Sequence, residues 1–169
     1  GHSKLMVEQM LRDFSNSGNL KYVALRYFNA AGADFDAEIG CEHVTPNNLV
    51  PILMNVQSGK RDNLKIFGAD YDTEDGTAIR DYVHVSDLAK AHVMALNNLL
   101  QNGDNITLNL GTGKGYSVRE VVDSVSSVTN NLVPTEIVSR RAGDAAQLIA
   151  DSSLAEKILG WKAKYTNIN

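Results

Sequence analysis

Short β-type runs alternate with stretches of helical period along this chain, and that order restricts it to the α/β class. Tyr22 to Phe28, Leu64 to Phe67, Tyr82 to Val85, Ile106 to Leu110 and Thr135 to Val138 are rich in apolar, β-branched and aromatic residues. They are also too short for helices. The first of them is expected to be a buried strand. Met6, Met10 and Phe14, with Val7 and Leu11 beside them, form an amphipathic stripe ahead of these runs, and Ser15 to Asn19 stops it. Residues 29–46 carry little period and read as a loop. Asn47 or Asn48 is placed to cap a second helix, whose apolar face is Leu49, Ile52, Leu53 and Val56, with Gly59 beyond its end. Ser86 or Asp87 starts a third, with Leu88, Val93, Leu96 and Leu99 mostly on one side. Ser117 and Glu120 have the spacing of a capping box ahead of Val118, Val121, Val122 and Val125. Ser153 to Leu159 reads as a last short helix before Gly160 and Trp161. A complete doubly wound sheet needs more strands than this, so part of the sheet is missing.

At 169 residues the chain is long enough for a domain with its own core. Its net charge of -4 offers no basic field for nucleic acid or an anionic membrane, and no apolar run reaches the roughly 20 residues that span a bilayer. The single cysteine, Cys41, has no partner within the chain, which fits a reducing, cytoplasmic setting. His2, His43, His84 and His92 show no paired ligand spacing, so no metal is expected, and His84 reads as structural.

The strand ending in Leu110 runs into Gly111-Thr112-Gly113-Lys114-Gly115 and then a helix, which invites a dinucleotide-binding reading. The fingerprint requires a differently spaced third glycine and an acidic residue about 20 positions on. Neither is present near Asn130 and Asn131. The loop is therefore read as a tight turn and not as a cofactor site.

Further segments carry more information together than singly. Gly1-His2-Ser3-Lys4 resembles the residues that follow the tyrosine of a Tyr-x-x-x-Lys motif. Arg26-Tyr27-Phe28-Asn29, Pro46-Asn47-Asn48-Leu49-Val50-Pro51, Leu64-Lys65-Ile66-Phe67-Gly68, the acidic loop Asp70 to Thr77, Arg80-Asp81-Tyr82-Val83-His84 and Arg140-Arg141-Ala142-Gly143-Asp144 follow in that order. In order and spacing these resemble the carboxy-terminal part of the UDP-glucose 4-epimerase family, within the extended short-chain dehydrogenase/reductases. The resemblance covers nearly the whole chain.

That resemblance implies an α/β fold: the carboxy-terminal part of an NAD-binding Rossmann-type epimerase, mostly its smaller substrate-binding domain. Residues 1–32 and about 104–130 would complete the Rossmann-type sheet. About 33–103 and 131–169 would belong mainly to the substrate-binding domain. It further implies that Lys4 is the motif lysine, acting in catalysis and on the cofactor, with its tyrosine falling immediately before Gly1. Phe28 would border the NAD, which is otherwise bound by an amino-terminal half outside this chain. Asn29, Asn48, Leu49, Phe67, Arg80, Tyr82, Arg141 and Asp144 would contact the UDP-sugar. Two guanidinium forks suit a diphosphate, and a carboxylate suits a ribose diol. The bland alternatives are a solvated Lys4, surface arginines paired with Asp81 or Asp144, a loop cap at Asp144, a strand-end turn at Asn29, a helix cap at Asn48 and a core role for Phe67. Leu148 would border the hexose, and its intermediate size implies acceptance of N-acetylated hexoses as well.

The implied reaction is NAD-dependent interconversion of UDP-glucose and UDP-galactose in an intact, homodimeric protein, with this segment inactive alone. The alternatives are a related nucleotide-sugar dehydratase or epimerase, and a non-catalytic sugar-nucleotide-binding module. The first typically carries Asn-x-Tyr-Gly-Pro where this chain has Asn29-Ala30-Ala31-Gly32-Ala33.

Overall fold

In a computed structural model, residues 1–18, 20–40 and 45–168 are described. Asn19, Cys41, His43 and Asn169 lie outside them. The chain begins with α1 (His2–Asn16), β1 (Val23–Tyr27) and β2 (Asn29–Ala31). There follow α2 (Leu49–Gln57), β3 (Leu64–Phe67), β4 (Ile79–His84), α3 (Val85–Leu100) and β5 (Ile106–Leu110). The last elements are β6 (Gly115–Ser117), α4 (Val118–Thr129), β7 (Thr135–Val138), β8 (Gln147–Leu148) and α5 (Ser153–Leu159). Parallel pairs dominate: β1 with β5, β2 with β4, β3 with β7 and β8 with β4, while β6 runs antiparallel to β4. The expected α/β class holds.

Because side chains alternate across a strand, β4 feeds two separate cores. Tyr82 joins Leu53, Val56, Leu64, Ile66, Tyr116, Val121, Val122 and Val133 in the first. Val83 joins Leu88, Ala91, Leu108, Leu110, Ala155 and Trp161 in the second. Thus α2, α4 and β3 share one core, while α3, α5 and β5 share the other.

Several elements differ from the reading of the sequence. The strand expected from Tyr82 begins earlier, at Ile79, which brings Arg80 and Asp81 into it. Val85 is the first residue of α3, and its cap is His84 rather than Ser86 or Asp87: the Ser86 amide donates to His84 Nδ1 at 3.2 Å. The buried face of α3 is Leu88, Ala91 and Ala95, whereas Val93 and Leu96 are more than half exposed. Two alanines let the helix approach its neighbours closely, and this turns the larger residues outward. β1 is only partly buried, with Arg26 and Tyr27 exposed, since among the described residues it pairs on one side alone. The α1 stripe of Met6, Val7, Met10 and Phe14 is likewise exposed. β2 lies within the stretch read as a loop; β6 and β8 are, like it, too short to show a period.

The capping box forms as read. Ser117 Oγ accepts from the Glu120 amide at 3.0 Å, and Glu120 Oε2 accepts from the Ser117 amide at 2.6 Å. Ser117 Oγ also donates to Asp75, which accepts from the Thr77 amide and hydroxyl, each at 2.7 Å. Burial alone would raise the Asp75 pKa, but the hydrogen bonds from Ser117 and Thr77 outweigh it and hold the carboxyl below its ordinary value. A depressed folded pKa contributes stability that is present above the unfolded value of about 4 and is lost as pH falls through the folded one. Asp75→Asn is therefore expected to lower the urea midpoint near neutral pH by more than it does at about pH 3. An equal loss at both values would show that the charge is not what matters.

Candidate functional site

Alternation along β4 sends Arg80 and Tyr82 to one face, where they meet β3, the residues before α2 and those after β7. The result is a cavity of about 320 Å³. Of the residues expected to contact a UDP-sugar, it gathers Asn29, Asn48, Leu49, Phe67, Arg80, Tyr82, Arg141 and Asp144.

Their local geometry bears on the bland alternatives. Asn48 occupies the cap position of α2 in extended conformation (φ -92°, ψ 148°), yet its side chain makes no capping bond. Asn48 also lines the cavity. Asn29 Nδ2 donates to the Asp81 carbonyl at 3.0 Å, which fixes the amide and leaves Oδ1 as an acceptor. Arg80, its side chain only 15% exposed, donates from Nη1 to the Ile79 carbonyl at 2.8 Å and pairs through Nη2 with Asp144 Oδ1 at 3.4 Å. The Arg141 guanidinium lies 3.9 Å from the Phe67 ring centroid. Arg140 points elsewhere, onto Asp70 at 2.7 Å and over the Tyr71 ring. Burial pushes the Tyr82 phenol up to about 12, with the Arg80 charge pulling weakly the other way. Tyr82 is thus a neutral hydroxyl at ordinary pH.

Three expected residues lie outside the cavity. Lys4 is exposed in the first turn of α1, a helix tied to β1 by the Glu8–Arg26 ion pair. Phe28 is half-buried between β1 and β2. Leu148 is 46% exposed on β8, in register with Arg80. Conversely, Asn47, Arg61, Lys65, Gly68, Ala78 and Val118 line the cavity without having been singled out. Asn47 and Lys65 sit inside motifs already quoted. Gly68 ends the same motif as Lys65, and Arg61, Ala78 and Val118 reach the cavity by tertiary proximity, for which no local signal exists.

The glycine turn after β5 already holds an anion of the chain's own. The Thr112 and Gly113 amides donate to the Asp81 carboxylate at 3.0 and 3.1 Å, and the Thr112 hydroxyl at 2.7 Å. No dinucleotide phosphate fits there. Phe28 stands at the carboxyl end of β1, the same end of the parallel β1–β5 pair as the glycine turn, because Tyr27 is in register with Leu110; parallel sheets bind nucleotide ligands at that end. Among the described residues no group of three or more His, Cys, Asp or Glu is placed to hold a metal ion, and no helix is long and apolar enough to cross a membrane.

Residues 1–111 match the model of the NAD dependent epimerase/dehydratase family. The chain belongs to that family. Lys4, Phe28, Asn29, Asn48, Phe67 and Arg80 fall within the family match, while Arg141 and Asp144 lie beyond it. Relatives extend over the remainder. The UDP-glucose 4-epimerase of Halalkalibacterium halodurans is 48% identical over 99% of this chain and 50% of its own length. The crystal structure of UDP-glucose 4-epimerase from Brucella ovis in complex with NAD superposes with a TM-score of 0.94 at 47% identity, over 99% of this chain and 51% of that one. The enzyme from Bifidobacterium longum, in complex with NAD+ and UDP, gives 0.91 at 42% identity, over 99% of this chain and 50% of that one. This member of the epimerase/dehydratase family spans about half the length of the curated relatives it matches.

Proposed function

We propose that this chain forms the UDP-sugar side of an NAD-dependent UDP-hexose 4-epimerase that interconverts UDP-glucose and UDP-galactose. The observation that carries the reading is one hollow lined together by Arg80, Arg141, the Asp144 carboxylate, Asn48 without a capping bond, and Asn29 with its Oδ1 left as an acceptor. Arg80 and Arg141 grip the diphosphate; Asp144, released from Arg80, accepts from the ribose hydroxyls; Asn29 and Asn48 meet phosphate and sugar oxygens. Phe67 supplies an apolar wall for the base once Arg141 turns from its ring to the ligand. Leu49 and Tyr82 close the floor, and Leu148 sits near the hexose.

Epimerisation at C4 requires a firm hold on the nucleotide and a loose one on the hexose, so that either face of the sugar can be presented. The arginine pair supplies the firm hold. Bound NAD would supply the acceptor and donor for the C4 hydride. Lys4 would then have two roles, lowering the pKa of a neighbouring tyrosine hydroxyl and orienting the cofactor ribose, while Phe28 would border the same cofactor. In the division of the intact enzyme, 1–32 and about 104–130 lie on the dinucleotide side. The exposed α1 stripe is the surface on which a cytoplasmic homodimer packs.

Calorimetric titration of UDP and UDP-galactose into the 169-residue chain tests the reading, with Arg141→Ala alongside. The wild-type chain is expected to bind both, and the variant to bind about thirtyfold more weakly, the loss of roughly 2 kcal/mol of charge-assisted hydrogen bonding. A folded wild-type chain that binds neither ligand overturns it.

A further inference from the structure

We propose that Asp81 is a positioning residue for the UDP-sugar cavity, acting as a built-in anion that locks together the segments carrying the ligand contacts. The inference rests on the UDP-sugar reading above. Asp81 is fully buried on the face of β4 opposite Arg80 and Tyr82, so it touches no ligand. Besides Thr112 and Gly113, its carboxylate accepts from the Ala150 amide at 3.2 Å. A turn that offers its amides to an anion is thus closed by a carboxylate from another strand, 31 residues away from Thr112 in sequence. The fit is close: a Cβ on Gly111 would collide with both Asp81 and Ala150.

Two paths lead from this lock to the cavity. The first runs through Ala150 to the stretch before it. Leu148 pairs with Arg80, the Ile79 amide donates to the Ala146 carbonyl at 2.8 Å, and Asp144 then meets Arg80. The second runs through the Asp81 carbonyl, which holds the Asn29 amide. The side chain of Asp81 therefore sets where Asp144 stands, and its backbone sets which atom Asn29 presents. A carboxylate is needed because every partner of the side chain is a donor. The amide of an Asp81→Asn variant would turn an NH₂ group toward at least one N–H.

The test uses Asp81→Asn and Thr112→Val in the full 169-residue chain. Thr112→Val removes the hydroxyl donor at 2.7 Å and lies outside the cavity. In ligand-free protein, the Asn29 side-chain NH₂ and Arg80 Nε–H resonances are expected to shift in Thr112→Val, although neither residue touches Thr112. UDP should bind about tenfold more weakly to Asp81→Asn and about threefold more weakly to Thr112→Val, at temperatures where both are folded. Unchanged resonances and unchanged affinity in folded Thr112→Val would overturn the proposal, reducing Asp81 to a stabilising tie. If Asp81→Asn does not fold, Thr112→Val decides by itself. If the wild-type chain binds no UDP, the UDP-sugar reading fails, and the resonances still decide whether Asp81 positions these side chains.

Discussion

Trp161→Ala is expected to destabilise the chain by about 4 kcal/mol, in the range for truncating a buried large aromatic. The indole is 2% exposed and packs into the core formed by Val83, Leu88, Ala91, Leu108, Leu110 and Ala155. Its Nε1 donates to the Asp87 carbonyl at 2.9 Å, so the variant also leaves a buried acceptor without its donor. The Asp87 carboxylate accepts from the Lys164 and Tyr165 amides at 2.8 and 2.9 Å, which pins the segment after the indole to the start of α3. Urea unfolding read by fluorescence at a tyrosine wavelength, or by circular dichroism, measures the loss. A loss below about 1 kcal/mol would mean that the site collapses around the vacancy. Because the cavity borders the other core, UDP affinity in the still-folded variant is expected to stay within about twofold of wild type.

Gly32→Ala should cost about 3 kcal/mol, and the reason lies in a ring rather than in a loop. Gly32 has φ +86°, where a β-carbon is strained, and a Cβ there would run into the His84 imidazole. That ring can move aside only by breaking its own contacts. It stacks on Phe35 with centroids 4.9 Å apart and an angle of 11°, and it touches Tyr165 at 4.9 Å. Its Nδ1 also accepts from the Ser86 amide, so displacing it removes the cap of α3. Gly18→Ala provides the comparison: φ is +81°, yet nothing lies within 4 Å of the new carbon. That change should cost only about 1 kcal/mol of backbone strain. Thermal melting of both variants separates the contributions, and a Gly32→Ala no worse than Gly18→Ala would contradict the argument.

How much could be read without coordinates depended on how local each cause was. β3, β5 and α5 begin and end where the sequence placed them, and β7 likewise, because four to seven consecutive residues carry both the period and the boundary. The Ser117–Glu120 box was equally legible, since both partners lie within one turn. β4 was read too short because Arg80 and Asp81 look wrong for a buried strand. Asp81 is tolerated there only because donors from residues 112, 113 and 150 converge on it. α3 was read with its larger side chains inward, and the choice of Ala91 and Ala95 instead was made by how closely the neighbouring elements approach.

The site divides along the same line. The ordered motifs pointed to Arg80, Arg141, Asp144 and the asparagines through their resemblance to the epimerase family, and forks, a carboxylate and amides are side-chain types that suit a diphosphate sugar. That Asn48 leaves its helix uncapped, that Arg141 rests on Phe67 and that Arg80 pairs with Asp144 came from the tertiary structure. So did the cavity contacts of Arg61 and Val118. By itself the sequence determined the α/β class, most element positions and the residue types that line the cavity, all of which act within a few residues. Only the tertiary structure decided which face of α3 is buried and which anion fills the glycine turn. Those outcomes depend on partners brought together from tens of residues apart.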